Sequence, residues 1–122
     1  MIIGFGTFSG AGGHKLEGSF TLTRQKVGIL MQTSPDFFFD GATSPQWSLS
    51  KGVPTDIHDP DVKATAVETQ FGSLPGEIQI VRGTHTAMID PETELKNYDT
   101  VFLWCSAMPY ILGTGQIKRV AP

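Results

Sequence analysis

Cys105 is the chain's single cysteine, and it closes the stretch Tyr98-Asp99-Thr100-Val101-Phe102-Leu103-Trp104-Cys105. A thiol acts as nucleophile, redox centre or metal ligand only as a thiolate, which needs partial exposure and a nearby positive charge or metal. Without these, a free cysteine packs as a small hydrophobe. The side chains that could join it are His14, His58 and His85, and Met108 just beyond the cysteine. Thiolate, imidazole and a weak thioether are the ligands of electron-transfer copper sites. The candidate set is therefore Cys105 with Met108, His14 and His85, and it forms only if the fold gathers histidines that lie far apart in the chain. A copper or iron ion suits these donors better than haem, because the chain has no Cys-x-x-Cys-His attachment. With no second cysteine to pair internally, an oxidised Cys105 would stop at a sulfenic acid or react with a redox partner protein.

Other chemistries find less in the sequence. Asp56, Asp59 and Asp61 are hard oxygen ligands, but the run lacks the glycine and terminal glutamate of a calcium loop and reads as a solvated surface segment. Gly-x-Ser-x-Gly does not occur, and Gly10-Ala11-Gly12-Gly13 is not followed by the Lys-Ser/Thr and helix of a phosphate loop. A stand-alone enzyme is the least supported class.

The elements that must position these residues read as short strands. Met1 to Phe8 alternates apolar residues with glycine, and Ser9 to Gly13 is a turn that delivers His14. Leu16, Gly18, Phe20 and Leu22 share one face of a half-buried strand, which Arg24-Gln25-Lys26 joins to an antiparallel partner, Val27 to Met31. Asp40-Gly41 reads as a turn after the aromatic cluster Phe37 to Phe39. Trp47 and Leu49 alternate with Ser48 and Ser50. Lys51 to Val62, with Pro54 and Pro60, reads as a surface loop. Ala64 to Thr69 alternates weakly, Leu74-Pro75-Gly76 is a turn, and Ile78 with Ile80 marks a further strand. Asp90-Pro91-Glu92 opens a short helical turn. In the stretch ending at Cys105, Val101, Leu103 and Cys105 share one face and Phe102 and Trp104 the other, the pattern of a central strand buried on both sides. Gly113-Thr114-Gly115 then punctuates the chain before a last strand, Gln116 to Val120. No helical period runs over eleven residues, so the expectation is one all-β domain over residues 1–122: an antiparallel β-sandwich or barrel of about eight to ten short strands.

Bulk properties bound the function. At 122 residues the chain is the size of one domain. A net charge of -3 and a pI near 5.5 argue against a nucleic-acid partner. No apolar run reaches the roughly 18 residues needed for a transmembrane helix, and Met1-Ile2-Ile3-Gly4-Phe5 lacks the cationic flank of a signal peptide.

Four stretches, in order, resemble the DM-thirteen domain, the electron-transfer DM domain. They are Gly6-Thr7-Phe8 with His14-Lys15-Leu16-Glu17-Gly18; Asp36 to Gly41 followed by Pro45 and Trp47-Ser48-Leu49-Ser50; Gly72-Ser73-Leu74-Pro75-Gly76; and Leu95-Lys96-Asn97-Tyr98 continuing to Trp104-Cys105, which is similar to the family's L-x-x-Y-x-x-V-x-I-W-C. The resemblance implies a β-sandwich that is extracytoplasmic (periplasmic, cell-surface or secreted), found beside DOMON and cytochrome b-type domains, with Cys105 on the family's cysteine. Relatives carry an aromatic and a Phe-Gly after that cysteine, where this chain has Ser106-Ala107-Met108-Pro109 and Tyr110-Ile111-Leu112-Gly113. Gln46 stands where an acidic residue is frequent.

Two readings of function follow. The first is a small redox or electron-transfer module centred on Cys105, with Met108, His14 and His85 as neighbours and Trp104 and Tyr110 shielding the sulfur. The alternative is a non-catalytic extracellular binding or adhesion module whose recognition surface is Phe37 to Phe39 with Trp47. Against that surface stands the ordinary use of large aromatics as core.

Overall fold

A computed structural model describes residues 1–56, 58, 62–63, 67–69, 78–105 and 110–120. Its strands are β1 (Ile2–Gly10), β2 (Leu16–Glu17), β3 (Ser19–Gln25), β4 (Gly28–Thr33), β5 (Phe38–Thr43), β6 (Pro45–Ser50), β7 (Val62–Lys63), β8 (Val67–Thr69), β9 (Ile78–Arg82), β10 (Thr86–Ile89), β11 (Thr100–Cys105), β12 (Tyr110–Gln116) and β13 (Lys118–Arg119), with one 3-10 turn at Leu95–Asn97. The all-β expectation holds.

The larger sheet runs in the order β7-β6-β11-β12-β1-β3-β4-β10-β8, with β13 paired to β1. All its pairings are antiparallel. Because β8 lies beside β6, the sheet curls until it nearly closes into a barrel, the usual way for a β protein to remove its open edges. A small second sheet, β2-β5-β9, packs with it.

Residue chemistry explains the local choices. Thr100 to Cys105 are all buried, and β11 is held by β6 on one side and β12 on the other, so it is a central strand as its two apolar faces predict. The alternation of Leu16, Phe20 and Leu22 also holds, with all three buried, but the expected single strand is two. Gly18 adopts a φ of 99°, and there the chain steps from the small sheet to the large one. A side chain there would meet the Phe37 backbone at 2.8 Å, so glycine answers both the angle and the close approach.

Two further expectations are corrected. Asp40-Gly41 is not a turn between elements: both residues lie inside β5, where the register with β9 slips between Phe39 and Ala42. The extra residue makes a β-bulge, and Gly41, at φ 107°, supplies the left-handed angle it needs. Gly113-Thr114-Gly115 is likewise no break before a last strand. All three lie in β12, and Gly115 faces the Phe20 ring so closely that a Cβ would sit 2.6 Å from it.

The core joins both sheets. Phe8 lies 4.9 Å from Phe20, 5.3 Å from Trp47 and 5.5 Å from Phe37, ring centre to ring centre. Phe37, Phe39 and Trp47 are at most 1% exposed, so these three rings of the expected recognition surface are core and hold the two sheets together, while Phe38 is half-buried under the Arg82 guanidinium. The loop after β6 is anchored where it begins, since the Gly52 amide donates to Asp99 at 2.7 Å and Pro54 is buried. The turn Leu74-Pro75-Gly76 lies outside the described residues.

Candidate functional site

Of the predicted site residues, Cys105, His14 and His85 lie among the described ones. Cys105 ends β11 with its side chain in the core cluster, 6% exposed, and its thiol donates to the Thr43 carbonyl at 2.7 Å. A thiol that gives its proton to a carbonyl is in the neutral form; a thiolate there would face the oxygen's lone pairs. The expected shield is not the one found. Trp104 projects from the opposite face of β11, and Tyr110, paired across from Cys105, is 60% exposed. The sulfur is covered by the end of β5 and by the core. The corner there is tight: Ser44, at φ 49°, is the only residue between β5 and β6, and Pro45 pairs with Cys105.

His85 sits between β9 and β10. Its amide donates to the Thr33 hydroxyl at 2.7 Å, its Nε2 donates to the Arg82 carbonyl at 3.1 Å, and its ring stands edge-on to Phe37. These contacts extend the β4–β10 ladder. His58 pairs with Asp56 at 2.8 Å on the surface. Met108 lies outside the described residues. Among the described residues, no three His, Cys, Asp or Glu side chains converge as a metal site requires. Cys105, His14 and His85 therefore do not form a ligand set there, and their donors are directed at Thr43, Asp40 and Arg82.

His14 has the most developed surroundings. The Ala11–Gly13 turn is closed by a bond from the His14 amide to the Ala11 carbonyl, with Gly12 and Gly13 at φ 61° and 84°. The bulge in β5 aims Asp40 at the far side of that turn. One Asp40 oxygen takes the His14 Nδ1 proton at 2.8 Å and the other takes the Lys15 amide at 2.9 Å. A carboxylate only accepts, so the neutral ring carries its proton on Nδ1 and presents Nε2 as an acceptor. Partial burial pushes the Asp40 carboxyl up, but the Lys15 amide and then the His14 ring outweigh it, and the carboxyl is held below its ordinary value.

His14 lines a cleft of about 710 Å³ between the loop after β6 and the outer side of β12. Val53, Pro54 and Thr55 line it from the loop, and Tyr110, Ile111 and Thr114 from β12. Among the described residues no Asp, Glu, Lys or Arg lines it. A mainly apolar concavity of this size with a few polar groups, the Asp40-held imidazole among them, has the build of a small-ligand site.

The sequence points to His14 but groups it with Cys105, Met108 and His85, whereas its partner among the described residues is Asp40. The signal for Asp40 was present in Asp40-Gly41, where a dipeptide typical of turns also serves a bulge. The side of the cleft formed by Val53 and Pro54 carries no motif, since it exists only once the loop folds over β12. Compared with protein-family models, curated proteins and solved structures, the chain finds no match in any of the three.

Proposed function

We infer that this domain is a binding module and that its site is the cleft at His14. The observation that carries this reading is the His14–Asp40 pair: a bulge and a glycine turn hold one imidazole in one neutral tautomer at a mainly apolar concavity. Such preorganisation is what a specific site needs and what bare packing does not. The test is a screen of neutral small-molecule fragments against isotopically labelled protein. Amide shifts that saturate at His14, Val53, Ile111 and Thr114 are the expected result. A screen in which no fragment moves these four sinks the reading.

A second reading, a cysteine-centred redox or electron-transfer module in an extracytoplasmic setting, is the one the family resemblance implies. One observation favours it: Cys105 is the last residue of β11 and 6% exposed, where Val101 and Leu103 are fully buried. The thiol thus stands at the margin of the core. An absorption spectrum and elemental analysis of wild type and Cys105→Ser, purified without chelators, separates the two. A stoichiometric metal or a visible band that the serine variant loses would put the redox reading first. A colourless, metal-free protein whose thiol labels only on unfolding is the outcome expected from the bond to Thr43.

A further inference from the structure

The cleft has a chemistry of its own, and it narrows what can bind there. In the neutral ring Asp40 fixes the His14 proton on Nδ1 and leaves Nε2 an acceptor, while Thr55, Thr114 and Tyr110 bring hydroxyl-bearing side chains to the same lining. Among the described residues no other group takes a hydrogen bond from or gives one to Nε2. With no Asp, Glu, Lys or Arg among the described lining residues, a charged ligand would lose hydration and gain no counter-ion. The apolar share of the lining comes from Ala11, Val53, Pro54 and Ile111, and Tyr110 adds an aromatic ring. Val53 is 72% exposed and Tyr110 60% exposed, and Tyr110 stacks on no other ring among the described residues. Large apolar groups left this exposed beside a concavity are available to cover a flat ring.

We propose that the cleft binds a neutral, single-ring phenolic ligand, whose hydroxyl donates to His14 Nε2 and whose ring packs between Tyr110 and the Val53–Pro54 loop. The proposal rests on the binding-module reading and adds the ligand class to it. A phenol suits these features: a donor for the imidazole acceptor, no charge, and a flat apolar body. An aliphatic acid would bring a charge the lining cannot balance.

The experiment is calorimetric titration of the whole chain with p-cresol and with 4-methylanisole, which keeps the ring and loses the donor. Wild type should bind p-cresol more tightly by on the order of tenfold, the worth of one net hydrogen bond. His14→Phe, a ring without an acceptor, should remove that preference, and Tyr110→Ala should weaken both compounds. The wild-type comparison stands even if a variant fails to fold. Equal binding of the two compounds by wild type would overturn the phenol proposal and leave the cleft as an apolar binding site. No saturable binding of p-cresol would also overturn it. The binding-module reading then stands or falls on the fragment screen, which uses other compounds and a different signal.

Discussion

Asp40 accepts from two donors on one short segment, the His14 ring and the Lys15 amide, and this gives it a pH signature. Its folded carboxyl is held below the ordinary value of 3.8. Folding thus favours the ionised form: the contribution is fully present above that value and drains away as pH falls through the folded one. Asp40→Asn is expected to flatten the dependence of stability on pH in the range from about pH 4 downward. At neutral pH the cost should be about 1 kcal/mol or less, since the side chain is 31% exposed and solvent screens it. Urea unfolding of both proteins at stepped pH measures this. Parallel stability–pH curves would mean that the pair contributes nothing to the acid limb. At the same scale, Cys105→Ser keeps a donor for the Thr43 carbonyl and should fold, losing about 1–2 kcal/mol for the more polar atom in a buried place.

At the scale of elements, glycine is the residue whose meaning depended most on the fold. As sequence, Gly113-Thr114-Gly115 and Asp40-Gly41 are turn signals; in the structure both are strand. Gly115 makes room for Phe20, and Gly41 allows the bulge that aims Asp40. One-dimensional pattern reports what a residue permits locally and is silent about which partner needs the space. Side-chain alternation carries more, because it records burial directly. The double apolar face of β11 and the Leu16–Leu22 stripe were legible for that reason. The cleft was not, since it joins a loop to the outside of a strand far away in sequence. Gly115→Ala is expected to destabilise by about 1–3 kcal/mol through overpacking against Phe20. Gly41→Ala should cost a similar ~1–2 kcal/mol for the left-handed angle. It should also shift the His14 ring resonances, which Gly115→Ala should leave in place. Thermal unfolding with histidine-detected NMR distinguishes the two effects.

For the whole molecule, the aromatic cluster decides whether two sheets make one cooperative unit. Phe8 belongs to the large sheet, Phe37 leads into the small one, and Trp47 lies in β6, yet the three rings touch one another. The small sheet has three strands, of which β2 is two residues long, too little to persist alone in water. It should therefore unfold only with the barrel. Tryptophan fluorescence and far-ultraviolet circular dichroism should then give one coincident urea transition. Phe8→Ala removes the ring common to the cluster and should lower stability by about 3–5 kcal/mol while the two probes still coincide. A variant in which the fluorescence transition came first would mean that the rings hold two separable layers. The His14–Asp40 pair, which bridges the β1–β2 turn and the small sheet, would then be lost before the barrel, and ligand binding at the cleft would fail at urea concentrations where most of the strands survive.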